Sequence, residues 1–196
     1  MNILGINAYH GDASAALVVD GQLVAAVEEE RFNRIKHWAG FPAESIRWCL
    51  TRADILPTDI DHVAVSFNPR ANMLRRFGFV ARHFPHPSAI IDRLSRQGKV
   101  LGIREQFANA VGLPAVELKA KLHQIEHHQT HIAAGFLISP FHEAAVLSVD
   151  GMGDFTSTMT AMARGTSWEE KSRVYFPHSI GFLYTAITMY LGFPYY

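Results

Sequence analysis

Ile3-Leu4-Gly5-Ile6-Asn7, then Asp12-Ala13-Ser14, then Asp20-Gly21: this series is repeated in kind by Val146-Leu147-Ser148-Val149-Asp150, Asp154-Phe155-Thr156 and Arg164-Gly165. Each copy reads as an apolar strand ending on a polar residue, a turn with glycine and aspartate, and a strand rich in Ser, Thr and Ala. A tight turn then leads into a third strand. The two copies are offset by about 143 residues, too long for a stacked solenoid repeat and suited to a duplicated domain.

Working outward from the first copy, strands are predicted over residues 3–7, 14–20 and 22–28. The last two are joined by Asp20-Gly21, a strong hairpin signal. Phe41-Pro42 leads into a helix over 43–52, where Ile46 and Leu50 share one face. Residues 61–67 read as another strand. From 69 to 114 the pattern loosens into an insertion of helices and loops. Its Arg75, Arg76, Arg82, Arg93 and Arg96 read as a solvated face in a neutral chain. A short strand at 122–126 then delivers the chain into a helix over 127–137. Strands at 144–149, 156–163 and 171–176 follow, and then a helix over 180–191 bounded by Pro177 and Gly192. Two such three-strand starts imply an α/β, actin-like or ribonuclease-H-like duplicated ATPase fold, by analogy with sugar kinases and chaperone ATPases. The first lobe would occupy residues 1–120, with its insertion at 69–114, and the start of the second would occupy 121–196.

Bulk properties narrow the function. The 196 residues are 48% hydrophobic, ample for a packed core, and 18 basic residues balance 18 acidic ones, so no global field favours nucleic acid or lipid. The single Cys49 makes no internal disulfide and suits a reducing cytoplasm. No apolar run reaches bilayer length, and the first residues lack the basic and long apolar regions of a signal peptide. The expectation is a soluble cytoplasmic protein.

The chemistry concentrates in His127-His128-Gln129-Thr130-His131 and in Asp150, where an apolar run breaks into glycines. Residues four apart on a helix lie on one face, so His127 and His131 can aim two imidazoles at one cation. A carboxylate from a strand end would add an oxygen. Two nitrogens and one oxygen with open positions suit Zn2+ or Fe2+ at a working site. The plainer alternative is a histidine pair on a solvated face that binds nothing. A zinc peptidase requires Glu directly after the first His. Here His128 follows His127 and Gln129 follows His128, which disfavours peptidase chemistry.

In the two glycine-bearing turns, backbone N–H groups and a short hydroxyl such as Ser14 can converge on a phosphate or acyl-phosphate oxygen. Gly151 and Gly153 would let the backbone approach a ligand, and Asp12 and Asp154 could orient a metal, a water or a substrate hydroxyl. Ordinary hairpins use the same residues to close themselves. His10, beside the first turn, could take a proton from a hydroxyl. Lys36, in the acid–base alternation of residues 28–37, could steady negative charge on a transferring group or belong to a solvated strand end.

Five ordered segments resemble the carbamoyltransferase family that modifies nodulation factors and antibiotics. They are residues 11–17 (GDASAAL), 28–37 (EEERFNRIKH), 126–131 (EHHQTH), 148–153 (SVDGMG) and 177–184 (PHSIGFLY). The resemblance implies a reaction in which carbamoyl phosphate and ATP, as co-substrates, form carbamoyl-adenylate. An actin-like domain then passes the carbamoyl group to an acceptor hydroxyl. It also implies that His127, His131 and Asp150 are metal ligands, with iron the expected metal and zinc the alternative. His10 would be the base for the acceptor hydroxyl and Lys36 a contact for the reacting group; Asp12, Ser14, Gly151, Gly153 and Asp154 are expected at the substrate. Better-known members place His directly before the Asp, whereas Gly11 separates His10 from Asp12 here. Family members run on for several hundred residues, so this chain is expected to be an N-terminal portion. As a free piece it should expose a sheet edge and apolar helix faces, and so be poorly soluble or self-associate. The expected partners are a small hydroxyl-bearing acceptor and a second copy in a homodimer, with neither nucleic acid nor membrane. Two other readings stand beside this one: a sugar kinase or ATPase of the same fold, and a metal-binding module without catalysis.

Overall fold

The computed structural model describes residues 1–83 and 102–193. They fall into two compact units, residues 1–66 with 102–124 and residues 67–83 with 125–193.

The first unit is a five-stranded mixed sheet. Its strands are β1 (Asn2–Asn7), β2 (Ser14–Val19), β3 (Gln22–Glu28), β4 (His62–Val65) and β5 (Lys121–Gln124), in the order β3-β2-β1-β4-β5. β1 and β2, and β2 and β3, pair antiparallel; β4 runs parallel to both β1 and β5. This is the strand order of the ribonuclease-H-like lobe on which actin-like proteins are built. Alternation buries Leu4 and Ile6 of β1, Ala15 and Leu17 of β2, and Val63 and Val65 of β4. The first short helix is α1 (Glu30–Asn33). The longer α2 (Ala43–Ala53) turns Ile46, Cys49 and Leu50 inward and packs on β2, β3 and α4 (Ile103–Val111). Its N-terminus is capped from outside: buried Glu29 accepts the N–H of Ser45 at 2.8 Å and of Glu44 at 3.1 Å.

The second unit holds α3 (Met73–His83), α5 (His127–Leu137), an antiparallel meander and α6 (Ile180–Tyr190). The meander is β6 (Glu143–Gly153), β7 (Thr156–Arg164) and β8 (Ser167–Tyr175). Here Ile132 of α5 packs with Met159 and Ala161 of β7, flanked by Val146 and Trp168. Among the described residues, no helix is long and apolar enough to cross a membrane.

The duplication is visible in the backbone. Each copy starts as an antiparallel three-strand run, and Asp12 and Asp154, matched in the repeat, both adopt left-handed backbone, with φ of 63° and 49°. Aspartate tolerates that region better than most residues. The copies differ in the first turn, which spans residues 8–13 in one and only Asp154-Phe155 in the other.

Several boundaries differ from those expected. The strand at 121–124 closes the first sheet beside β4 instead of opening the second unit. β8 begins at Ser167, because the Gly165 turn pairs Arg164 directly with Ser167. Within the insertion, α3 belongs to the second unit. Its arginines are not a solvated face throughout: Arg76 is 11% exposed and pairs with Asp154, and Arg75 lies 3.9 Å above the Tyr175 ring. Arg93 and Arg96 lie outside the described residues.

Candidate metal centre

Three of the expected residues meet in the second unit. His127 is the first residue of α5 and His131 lies one turn further on. His127 Nε2 is 2.7 Å from Asp150 Oδ2 and 3.0 Å from His131 Nε2; His131 Nε2 to Asp150 Oδ2 is 3.7 Å. An imidazole nitrogen has one in-plane position, filled by either a hydrogen or a lone pair. His127 Nε2 therefore cannot serve both short contacts as good hydrogen bonds. A cation between the three atoms answers all three lone pairs at once. The triangle has a circumscribed radius of about 1.9 Å, which fits the roughly 2.0–2.2 Å reach of imidazole and carboxylate ligands to zinc or a similar ion. Among the described residues this is the cluster of three such groups whose ligand atoms lie within 4.8 Å of one another. The two histidines, His127 first, hold the Asp150 carboxyl well below the usual carboxylate range.

Neighbouring residues hold the start of α5 in place. Asp154 Oδ2 accepts the His127 N–H at 3.0 Å, and the Glu126 carboxylate accepts the Gln129 N–H at 3.0 Å, so two donors of the first helical turn are satisfied. His128 is wholly buried, its ring centroid 5.5 Å from that of His127 and 5.9 Å from that of His131. Its Nε2–H donates to the Thr156 carbonyl at 3.0 Å, which leaves Nδ1 to accept from the Ser148 hydroxyl at 2.8 Å. Burial lowers its pKa to about 4, so the ring is neutral near pH 7. Trp168 Nε1–H donates to Gln129 Oε1 at 2.5 Å. Glu126 also faces Arg173 at 3.3 Å, each side chain 11% exposed.

Asp150 owes its aim to a break in β6. Val149 pairs with Thr158 and Gly153 with Thr156, so residues 150–152 face Ser157 alone. Such a bulge re-aims a side chain. The Ser179 hydroxyl donates to the Asp150 carbonyl at 3.0 Å, and a Cβ at Gly181 would lie 2.4–2.5 Å from the Asp150–Gly151 backbone.

Gly151, Gly153 and Asp154 all make close contacts within the second unit. A Cβ on Gly153 would fall 1.9–2.7 Å from the His127 ring, and one on Gly151 would meet Phe182 at 3.0 Å, so both glycines make room for side chains of this unit. Asp154, expected at the substrate, has a side chain with no exposure. It binds the N–H groups of Asn68 and His127 and the Arg76 guanidinium at 3.2 Å. It joins residues 68–76 to the start of α5. His10, Asp12, Ser14 and Lys36 belong to the first unit. Ser14 pairs with Asn7 and Glu28 at the head of β2, Lys36 makes a 2.8 Å ion pair with Glu30, and Asp12 lies 3.0 Å from His37.

The sequence reading missed His128, Gln129, Glu126, Arg76 and Arg173. Ser148, a hydroxyl inside an apolar strand, was a usable sign that a polar partner would face it. No spacing rule links Arg76 to Asp154 or Arg173 to Glu126.

The fold and site define an actin-like α/β protein with a converging His–His–Asp cluster in its second unit. The chain belongs to the family described as Carbamoyltransferase N-terminus, matching it over residues 2–195. It is 37% identical to the uncharacterized protein sll1178 of Synechocystis over 198 residues, 98% of this chain and 32% of that one. It is 35% identical to nodulation protein NolNO of Sinorhizobium fredii over 191 residues, 95% of this chain and 26% of that one. The chain thus spans a third or less of these two relatives. Among solved structures, YeaZ from Pseudomonas aeruginosa aligns with 90% of this chain and 69% of its own, at TM-score 0.43 and 13% identity. The ethanolamine utilization protein EutJ from Carboxydothermus hydrogenoformans aligns with 100% and 58%, at TM-score 0.42 and 12% identity.

Proposed function

We propose that this chain is the metal-holding part of an O-carbamoyltransferase. The enzyme moves a carbamoyl group from carbamoyl-adenylate, made from carbamoyl phosphate and ATP, to a hydroxyl of a sugar or secondary metabolite. The observation that carries the reading is the convergence of His127, His131 and Asp150 in a chain of the carbamoyltransferase N-terminus family. Two imidazoles and a carboxylate suit Fe2+ or Zn2+. A metal held there supplies a Lewis acid and an anchor for an anionic acyl donor. The protein's own part is to hold the three donors in place. His128 and Asp154 fix the first turn of α5, the bulge in β6 aims Asp150, and Gly153 leaves room for the His127 ring. Lys36 offers an ammonium for charge on the transferring group.

The test is to supply carbamoyl phosphate, ATP and a sugar acceptor and to look for a product heavier by one carbamoyl group, with AMP and pyrophosphate released. Release of ADP would instead assign kinase or ATPase chemistry, and His127→Ala with His131→Ala would then leave most activity intact. Metal analysis is a separate readout: the double variant should lose the bound iron or zinc.

A further inference from the structure

The first unit carries a second pair of histidines, to which the reading above gives no task. In β4, Val63 and Val65 point into the core, so strand alternation turns His62 and Ala64 to the other face. β5 runs parallel to β4, with His62 opposite Lys121 and Ala64 opposite His123. His62 and His123 are therefore diagonal neighbours on one face, and their rings meet. His62 Nδ1 lies 2.9 Å from His123 Nε2, with ring centroids 5.0 Å apart and planes inclined by 54°. The backbone holds this arrangement, because β4 is bonded to β1 on one side and to β5 on the other. His123 is exposed and His62 partly so, which lets a hydrated ion reach both rings.

Two neutral imidazoles at this distance share one hydrogen, donated by one ring to the lone pair of the other. A cation uses both lone pairs. The shared hydrogen then has only to move to the far nitrogen of its own ring, so binding needs no ionisation. The separation selects the ion. Imidazole nitrogens at about 2.0–2.1 Å from a metal stand about 2.8–3.0 Å apart on adjacent corners of a square or octahedron, and about 3.3–3.4 Å apart on a tetrahedron. The observed 2.9 Å is the right-angled edge, the geometry that Cu2+ and Ni2+ favour with nitrogen and oxygen donors. We propose that His62 and His123 form a second metal site, which takes Cu2+ or Ni2+ between two imidazoles with water in the remaining positions. The site lies wholly within the first unit and depends neither on the His127 cluster nor on the carbamoyltransferase reading. Lys121 is the cation beside it on the same face; it is exposed, and its long stem lets the ammonium turn into solvent.

The experiment titrates the tag-free full-length protein with Cu2+ in a glycine buffer and follows binding by electron paramagnetic resonance. His62→Asn, His123→Asn and the two together are compared with the unaltered protein. Each form is also measured with His127→Ala and His131→Ala, which removes the other cluster. With that cluster gone, one equivalent of Cu2+ should bind in a tetragonal site, and pulsed spectra should show two imidazole nitrogens on it. Either single change should weaken that equivalent by about 100-fold, the scale set by linking two weak ligands, and the double change should cost far less than the product of the two. Both side chains are at the surface, so the variants should keep the circular dichroism spectrum of the unaltered protein. A copper signal with a single imidazole, equal affinity in the unaltered protein and either single variant, or loss of this equivalent on removing His127 and His131 alone would each overturn the assignment.

Discussion

Gly153 sets the position of the His–His–Asp cluster more tightly than its size suggests. A Cβ there would fall inside the His127 ring, whereas one on Gly151 would meet only the edge of Phe182, at 3.0 Å. Gly153→Ala must therefore push His127 away from His131 and Asp150. It should lower affinity for Zn2+ or Fe2+ by about tenfold or more, the scale of misplaced supporting groups. Gly151→Ala, which a small ring shift can absorb, should lower it less; equilibrium dialysis against a chelator would rank the two. His128 carries a pH dependence of known sign. Burial drops its pKa from about 6.5 to about 4, so between those values the unfolded chain binds a proton that the folded chain refuses. The stability from the neutral ring is complete above pH 6.5 and is lost as the pH falls towards 4, a change of about 3 kcal/mol. Urea titrations across that range should show the slope, and His128→Gln should flatten it.

At the level of elements, α5 was legible because its spacing alone put His127 and His131 on one face, and its observed span, His127–Leu137, agrees with the expected 127–137. What holds the helix down was not legible. Glu126, His128 and Gln129 find partners on β6, β7 and β8 at separations of up to 47 residues, and nothing local marks such pairings. The bulge was hidden too, because Gly151 and Gly153 read equally well as room for a ligand. The Glu126–Arg173 pair shows what the hidden contacts do. Both side chains are nearly buried, so Arg173→Met strands a carboxylate at the helix start. It should destabilise the protein by about 3 kcal/mol. Adding Glu126→Gln removes the stranded charge while keeping an oxygen for the Gln129 N–H, and should recover part of that loss. A double-mutant cycle followed by urea denaturation measures the coupling, and additive losses would contradict it.

Over the whole molecule, the repeat was legible because strand alternation and turn residues are local signals, and the paired left-handed aspartates bear it out. The division into units was not, because the membership of 67–83 and of β5 depends on contacts distant in sequence. The surface carries the last consequence. α6 has no buried residue, and Leu183, Tyr184, Ile187 and Leu191 are each more than half exposed. β6 pairs only with β7 among the described residues, and its Leu147 is 65% exposed. A contiguous apolar helix face beside an open strand edge favours pairing with a second copy of the same surface. The 196-residue chain should therefore show an apparent mass that rises with concentration towards twice that of one chain. Leu183→Glu with Ile187→Glu should hold it near one, because two charges on each face repel across any symmetric contact. Light scattering over a concentration series decides the matter, and a mass that stays at one chain throughout would show that these exposed residues do not drive association.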